Sequence, residues 1–216
     1  MTILKICGLK ELSHLFVASD AGADFLGFVF VPGVRRQLDI EWAKDVIKKY
    51  RTSRSSGGPK LVGLFADQAV EDVNYIIDHC GLDKAQLCGD EPVEYWSEIH
   101  KPIMKQIKVD ERGKREDVIE RLSSQVEEVV SKGHICILDK YKEGSHGGTG
   151  STFDWTIAAE IANRFSFIIA GGLNPTNVSK AIATVKPWGV DVSSGVEENC
   201  VKDANKIWDF AKQVKV

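Results

Sequence analysis

Short apolar runs alternate with amphipathic stretches along almost the whole chain. Residues 3–7 form the first run. Leu12, Leu15, Phe16 and Ser19 then fall at i, i+3, i+4 and i+7, the spacing of one helix face, and Gly22 supplies a stop. The run at 25–30, FLGFVF, is continuously apolar, as a strand covered on both faces must be. Asp39 can cap a helix whose buried face is Ala43, Val46, Ile47 and Tyr50. The polar, breaker-rich stretch 51–59 reads as a surface loop. The pattern then repeats: strand 61–66, a helix with Val73, Ile76, Ile77 and Cys80 ended by Gly81, and strand 85–88. Pro92 next opens a helix carrying Val93, Trp96 and Ile99. Strand 103–109 leads to a long helix with Val118, Leu122, Val126 and Val129. Strand 134–138 is followed by a helix from about Trp155, and strand 167–170 by a helix with Asn174 as N-cap and Pro175 at its first position. Strand 190–192 and a final helix with Ile207, Phe210, Ala211 and Val214 complete the series.

Eight strand-then-helix units with short connections imply a parallel sheet with right-handed crossovers. Eight favour closure over an open sheet, so the expected fold is α/β: a single (β/α)8 TIM barrel over residues 1–216. Neither GxGxxG nor GxxxxGK[ST] occurs, which leaves the nucleotide-binding open sheets without support. In a barrel the site lies at the C-terminal ends of the strands, and closure sets the first strand beside the eighth.

Three of those strand ends are rich in small residues: 147–150 (GGTG), Gly171-Gly172 and Ser193-Ser194-Gly195. Backbone N–H groups and hydroxyls exposed there, without bulky side chains, suit a phosphate. A plain strand-to-helix turn would explain any one of them alone; three on neighbouring strands point to one anion site.

Composition narrows the partners. Hydrophobic content of 43% and charged content of 27% describe an ordinary globular chain, and a net charge of −3 gives no footprint for nucleic acid or an anionic membrane. The first ten residues lack a signal peptide's apolar length, and no run reaches the roughly 18 apolar residues of a membrane span. Five cysteines without a CxxC pair argue for a reducing, cytoplasmic setting, and five scattered histidines indicate no metal.

Four residues could carry chemistry at the strand ends. Cys7 closes the first strand; if it faces the lumen so does Lys5, about 6–7 Å along the strand, which would favour the thiolate. Asp191 on the neighbouring strand is placed to hold Lys5. A buried structural cysteine is the alternative. Asp139 ends strand 134–138 before the glycine-rich loop, as a candidate general acid or a turn cap. Arg36 could grip a substrate carboxylate bidentately, with Arg35 as its rival. His146 reads as a solvated loop residue.

Together LKICGLK (4–10), QLCGDE (86–91), LDKYKEGSHGGTG (138–150), FDW (153–155), AGGLNPTNV (170–178) and GVDVSSGVE (189–197) closely resemble the phosphoribosylanthranilate isomerases of tryptophan biosynthesis. The resemblance implies a barrel that converts N-(5-phosphoribosyl)anthranilate by an Amadori rearrangement without a cofactor, acting on a phosphorylated small molecule as a monomer or homodimer. It makes Cys7 the general base, Asp139 the general acid and Arg36 the anthranilate ligand. Gly148, Gly150, Gly171, Gly172, Ser193, Ser194 and Gly195 fall to the phosphate loops, with Asp191 beside them. One position departs: the family usually has histidine where this chain has Cys88. Other phosphate-binding barrels share the glycine loops but do not explain the Cys7 and Asp139 pair. A non-catalytic phosphoribosyl-binding barrel would not need it.

Overall fold

The computed structural model describes residues 1–54, 57–140 and 152–215. Eight parallel strands close in sequential order: β1 (Ile3–Cys7), β2 (Phe25–Val29), β3 (Lys60–Phe65), β4 (Lys84–Leu87), β5 (Ile103–Val109), β6 (Ile135–Lys140), β7 (Ile168–Ile169) and β8 (Gly189–Val192). The ring shuts where β8 pairs with β1, bringing Lys5 level with Asp191. The returning helices are α1 (Leu12–Asp20), α2 (Ile40–Thr52), α3 (Val70–Cys80), α4 (Val93–Trp96), α5 (Arg115–Ser131), α6 (Trp155–Ala162), α7 (Val178–Val185) and α8 (Ala204–Val214). This is the (β/α)8 barrel that the alternation implies. No described helix is long and apolar enough to cross a membrane.

The two-residue period of the strands sorts the apolar side chains into two bodies. Leu4, Ile6, Leu26, Phe28 and Leu138 point outward and meet helix residues such as Leu15, Ile47, Ile77, Val126 and Phe210 in one large cluster. Cys7, Phe25, Val29, Val62, Leu64, Cys88, Met104, Ile137 and Ile168 form a second cluster inside the ring. Three helix starts are fixed by side-chain caps: Asp39 accepts from Trp42 N, Asp154 from Thr156 N and Asp203 from Lys206 N. Gly81 ends α3 at φ +68°, a left-handed conformation in which it donates to Ile77 O.

Several expected elements differ. The helix after Pro92 is a single turn, so Ile99 lies beyond it, although both Trp96 and Ile99 are buried. Asn174 and Pro175 do not start α7. Asn174 Oδ1 accepts from Thr176 N while Asn177 Oδ1 accepts from Asn174 N, and these bonds make a turn that delays the helix to Val178. β6 runs on to Lys140, so Asp139 lies within the strand, while β7 shrinks to two residues. A short hairpin, β9 (Glu197–Glu198) with β10 (Val201–Lys202), precedes α8 and had no counterpart in the apolar pattern.

Candidate active site

A cleft of about 300 Å³ opens where the strands end. Cys7, Arg36, Asp139, Gly171, Gly172, Asp191, Ser193 and Ser194 line it, as does Arg35. Gly195 lies behind the lining, where an added Cβ would stand 1.8 Å from the Leu173 carbonyl oxygen. Gly171 holds φ +88°, and a Cβ there would come within 2.9 Å of Asp139 Oδ1, so its small size gives the carboxyl its place. Gly148, Gly150 and His146 lie outside the described residues.

The Lys5–Asp191 pair forms as expected: Lys5 Nζ donates to Asp191 Oδ2 at 2.9 Å, with Lys5 fully buried. Burial opposes the ammonium charge, yet Asp191 and the Cys7 thiol hold the Lys5 pKa above the ordinary lysine range. The expected effect on Cys7 is outweighed. Burial pushes its thiol up, and Asp191 adds to this, while Lys5 and Lys202 pull the other way. A lysine already paired with a carboxylate stabilises a thiolate less than a free one. Asp139 behaves as its position suggested: burial first, then the charge of Asp191, push its carboxyl up to about 7, against a 2.8 Å bond from Lys140 N and the charge of Lys5. The cleft therefore sets a thiol and a carboxyl that is half-protonated near neutrality around one space.

Arg36 and Arg35 both reach the cleft, and both are gripped by Glu197. Ser193 Oγ donates to Cys7 O at 3.1 Å, which ties the β8 loop to the end of β1. Cys88 is buried in the wall and its sulfur accepts from Gln86 Nε2 at 3.4 Å; the same amide donates to Gln106 Oε1 at 3.2 Å. Two buried acceptors of residues lining the cleft, Gln86 Oε1 and Asp191 Oδ1, have no hydrogen-bond partner among the described residues. No group of three histidine, cysteine or acidic side chains among the described residues could hold a metal.

Gln86, Gln106, Glu197 and Lys202 were not singled out from the sequence. Gln86 is two residues before Cys88 on one strand, so alternation alone could have put it in the lumen. Nothing local marks Glu197, whose arginine partners lie more than 160 residues away.

Comparison with known proteins gives this arrangement a relationship. A sequence model of the family described as N-(5'phosphoribosyl)anthranilate (PRA) isomerase matches residues 4–213. The N-(5'-phosphoribosyl)anthranilate isomerase of Roseiflexus castenholzii is 42% identical over 213 residues, covering 96% of this chain and 95% of the relative. The crystal structure of phosphoribosyl anthranilate isomerase from Thermotoga maritima superposes with a TM-score of 0.84 at 32% identity, over 100% of this chain and 99% of that one. A phosphoribosyl anthranilate isomerase solved with reduced 1-(o-carboxyphenylamino)-1-deoxyribulose 5-phosphate matches at TM-score 0.81 and 30% identity, covering 100% of this chain and 99% of that one. Fold, cleft and near-complete alignment agree: the chain belongs to the N-(5'-phosphoribosyl)anthranilate isomerase family.

Proposed function

We propose that this barrel isomerises N-(5-phosphoribosyl)anthranilate with Asp139 as general acid and Cys7 as general base. The observation that carries the assignment is their placement on one cleft, with the Asp139 carboxyl raised to about 7. A carboxyl of that pKa can both hold and release a proton at neutral pH. Asp139 protonates the ribose ring oxygen, the C1′–O bond breaks, and the sugar opens to an iminium. Cys7 then removes the C2′ proton, leaving an enolamine. A proton added at C1′ and one lost from the 2′-hydroxyl give the ketone. Cys7 starts as a thiol and yields its proton to solvent before this step. Lys5 and, after ring opening, the iminium charge hold the anion.

The remaining groups fix the substrate. Arg36 takes the anthranilate carboxylate. Gly171, Gly172 and the 193–195 loop take the phosphate, together with Gly148 and Gly150. The unpaired acceptors on Asp191 and Gln86 suit ribose hydroxyls, which would supply the missing donors. Anchoring both ends of the substrate places the reacting carbons between acid and base. The reading carries with it a cofactor-free, cytoplasmic enzyme working as a monomer or a homodimer.

Loss of phosphoribosylanthranilate fluorescence, followed with the intact protein and with Cys7→Ser, tests this directly. The intact protein is expected to consume substrate and Cys7→Ser to be slower by about a thousandfold. Equal rates would remove Cys7 from the mechanism, and no turnover by the intact protein would leave a binding barrel.

A further inference from the structure

The arginines of the loop after β2 share a single counter-ion. Glu197, whose side chain is 6% exposed, takes Arg36 in a fork: Nε donates to Oε1 at 2.8 Å and Nη2 to Oε2 at 2.9 Å. The same carboxylate accepts from Arg35 Nη2 at 2.7 Å and from Lys202 Nζ at 2.7 Å. Lys202 is itself buried, and its Nζ also donates to Ser193 O at 2.8 Å. One anion thus gathers three cations and links the arginine wall to the β8 loop. Arg36 spends Nε and Nη2 on this contact, which leaves Nη1 without a hydrogen-bond partner among the described residues. Gly8 gives the side chain its path, since a Cβ there would stand 2.5 Å from Arg36 Cδ.

We propose that Glu197 is a positioning residue: it aims the free edge of Arg36 at the substrate carboxylate and, through Lys202, locks that aim to the loop that holds the phosphate. The inference rests on the role proposed above for Arg36. Geometry and charge here predict opposite signs. A fork held at two points keeps the third donor in place, and releasing it lets a flexible side chain wander. By charge alone, removing Glu197 would leave the cleft more positive and tighten its hold on an anionic ligand.

Two stable ligands separate these outcomes: reduced 1-(o-carboxyphenylamino)-1-deoxyribulose 5-phosphate, and the same compound without the ring carboxylate. Their Kd values are measured calorimetrically on the intact protein, Glu197→Gln and Glu197→Asp, with steady-state turnover alongside. The intact protein is expected to prefer the carboxylated ligand by about tenfold or more. Glu197→Gln should cut that preference below about threefold while its Kd for the other ligand stays within about threefold, and should raise KM more than it lowers kcat. Glu197→Asp, which keeps the charge on a shorter arm, should fall between. A full preference in either variant, or tighter binding of the carboxylated ligand by Glu197→Gln, overturns the inference. If Glu197→Gln does not fold, the Glu197→Asp result decides. No preference in the intact protein would instead overturn the role of Arg36, and no turnover would overturn the proposed function.

Discussion

The shell between strands and helices and the space inside the ring are packed by opposite rules. In the shell, the buried polar atoms without partners among the described residues are neutral, the Tyr50 hydroxyl and Trp155 Nε1, and Asn74 is paired: its Nδ2 donates to Glu98 O at 2.8 Å and its Oδ1 accepts from His100 N at 2.9 Å. Inside the ring and at its mouth, Lys5, Gln86, Gln106, Asp139 and Asp191 are all buried, and acceptors on Gln86 and Asp191 lack partners. Burying polar groups so incompletely costs stability that a purely apolar lumen would keep. Among the described residues the shell strands only neutral groups, a hydroxyl and an indole N–H, whereas the lumen strands a carboxylate oxygen. The lumen's unpaired groups line the cleft proposed above as the substrate site. Substitutions should therefore split: shell changes should cost stability and spare rate, and lumen changes at the mouth should do the reverse.

Asp139→Asn should show the split most strongly. The rate should fall by about 10³-fold or more, since an amide cannot supply the proton, while reduced product analogue still binds. Stability should move the other way. The Asp139 pKa of about 7 lies above its reference of 3.8, so the folded state holds an extra proton between those values. Its contribution to stability is fully present below about pH 4 and is lost as pH rises to about 7. Asp139→Asn removes that slope and should equal or exceed the intact protein in urea unfolding at pH 8. A variant that lost stability and kept its rate would place Asp139 with the shell.

Phe210→Ala is the mirror experiment. Phe210 is fully buried on α8 in the outer cluster, and truncation should cost about 3–5 kcal/mol. The folded fraction should keep its kcat within about twofold. A large rate loss in protein that is still folded at 20 °C would show that the shell transmits strain to the mouth.

Lys5→Met tests the boundary between the two, because Lys5 is buried yet lies beside Cys7. The single change strands the Asp191 charge and should cost about 3 kcal/mol, whereas Lys5→Met with Asp191→Asn should recover most of it. Activity should not return in the double variant, since both charges that set Cys7 are gone. Recovery of rate together with stability would make the pair purely structural.

The shell was legible in the sequence because period and burial are local properties. Ala43, Val46, Ile47 and Tyr50 announce their face by spacing, and all four are buried on α2. The strand order followed from counting units. The mouth was legible in its residue types: Cys7, Asp139, Asp191 and the small-residue loops were placed by strand ends and by resemblance. Their electrostatics were not. The lowering of the Cys7 pKa expected from Lys5 fails because burial outweighs it, and the charge of Asp191, which pairs with the lysine, adds to the difference. Glu197 escaped notice for a related reason: its meaning is two distant arginines that closure of the ring brings to it, beside its hairpin neighbour Lys202. Asn174-Pro175 misled because an Asx turn and a helix cap share one sequence signal.

The smallest prediction asks where the shell ends. Asp39 caps α2 by accepting from Trp42 N at 3.0 Å, and it follows Arg36 by three residues. As a cap on an outer helix it belongs to the shell, and Asp39→Ala should cost about 1 kcal/mol. Arg36 is held by Glu197 rather than by the start of α2, so fraying the first turn should leave its fork intact. KM for phosphoribosylanthranilate should then stay within about twofold, read from initial rates on protein matched for folded fraction. A KM rise of tenfold would mean that the arginine depends on the helix cap, which would move the border of the site outward to α2.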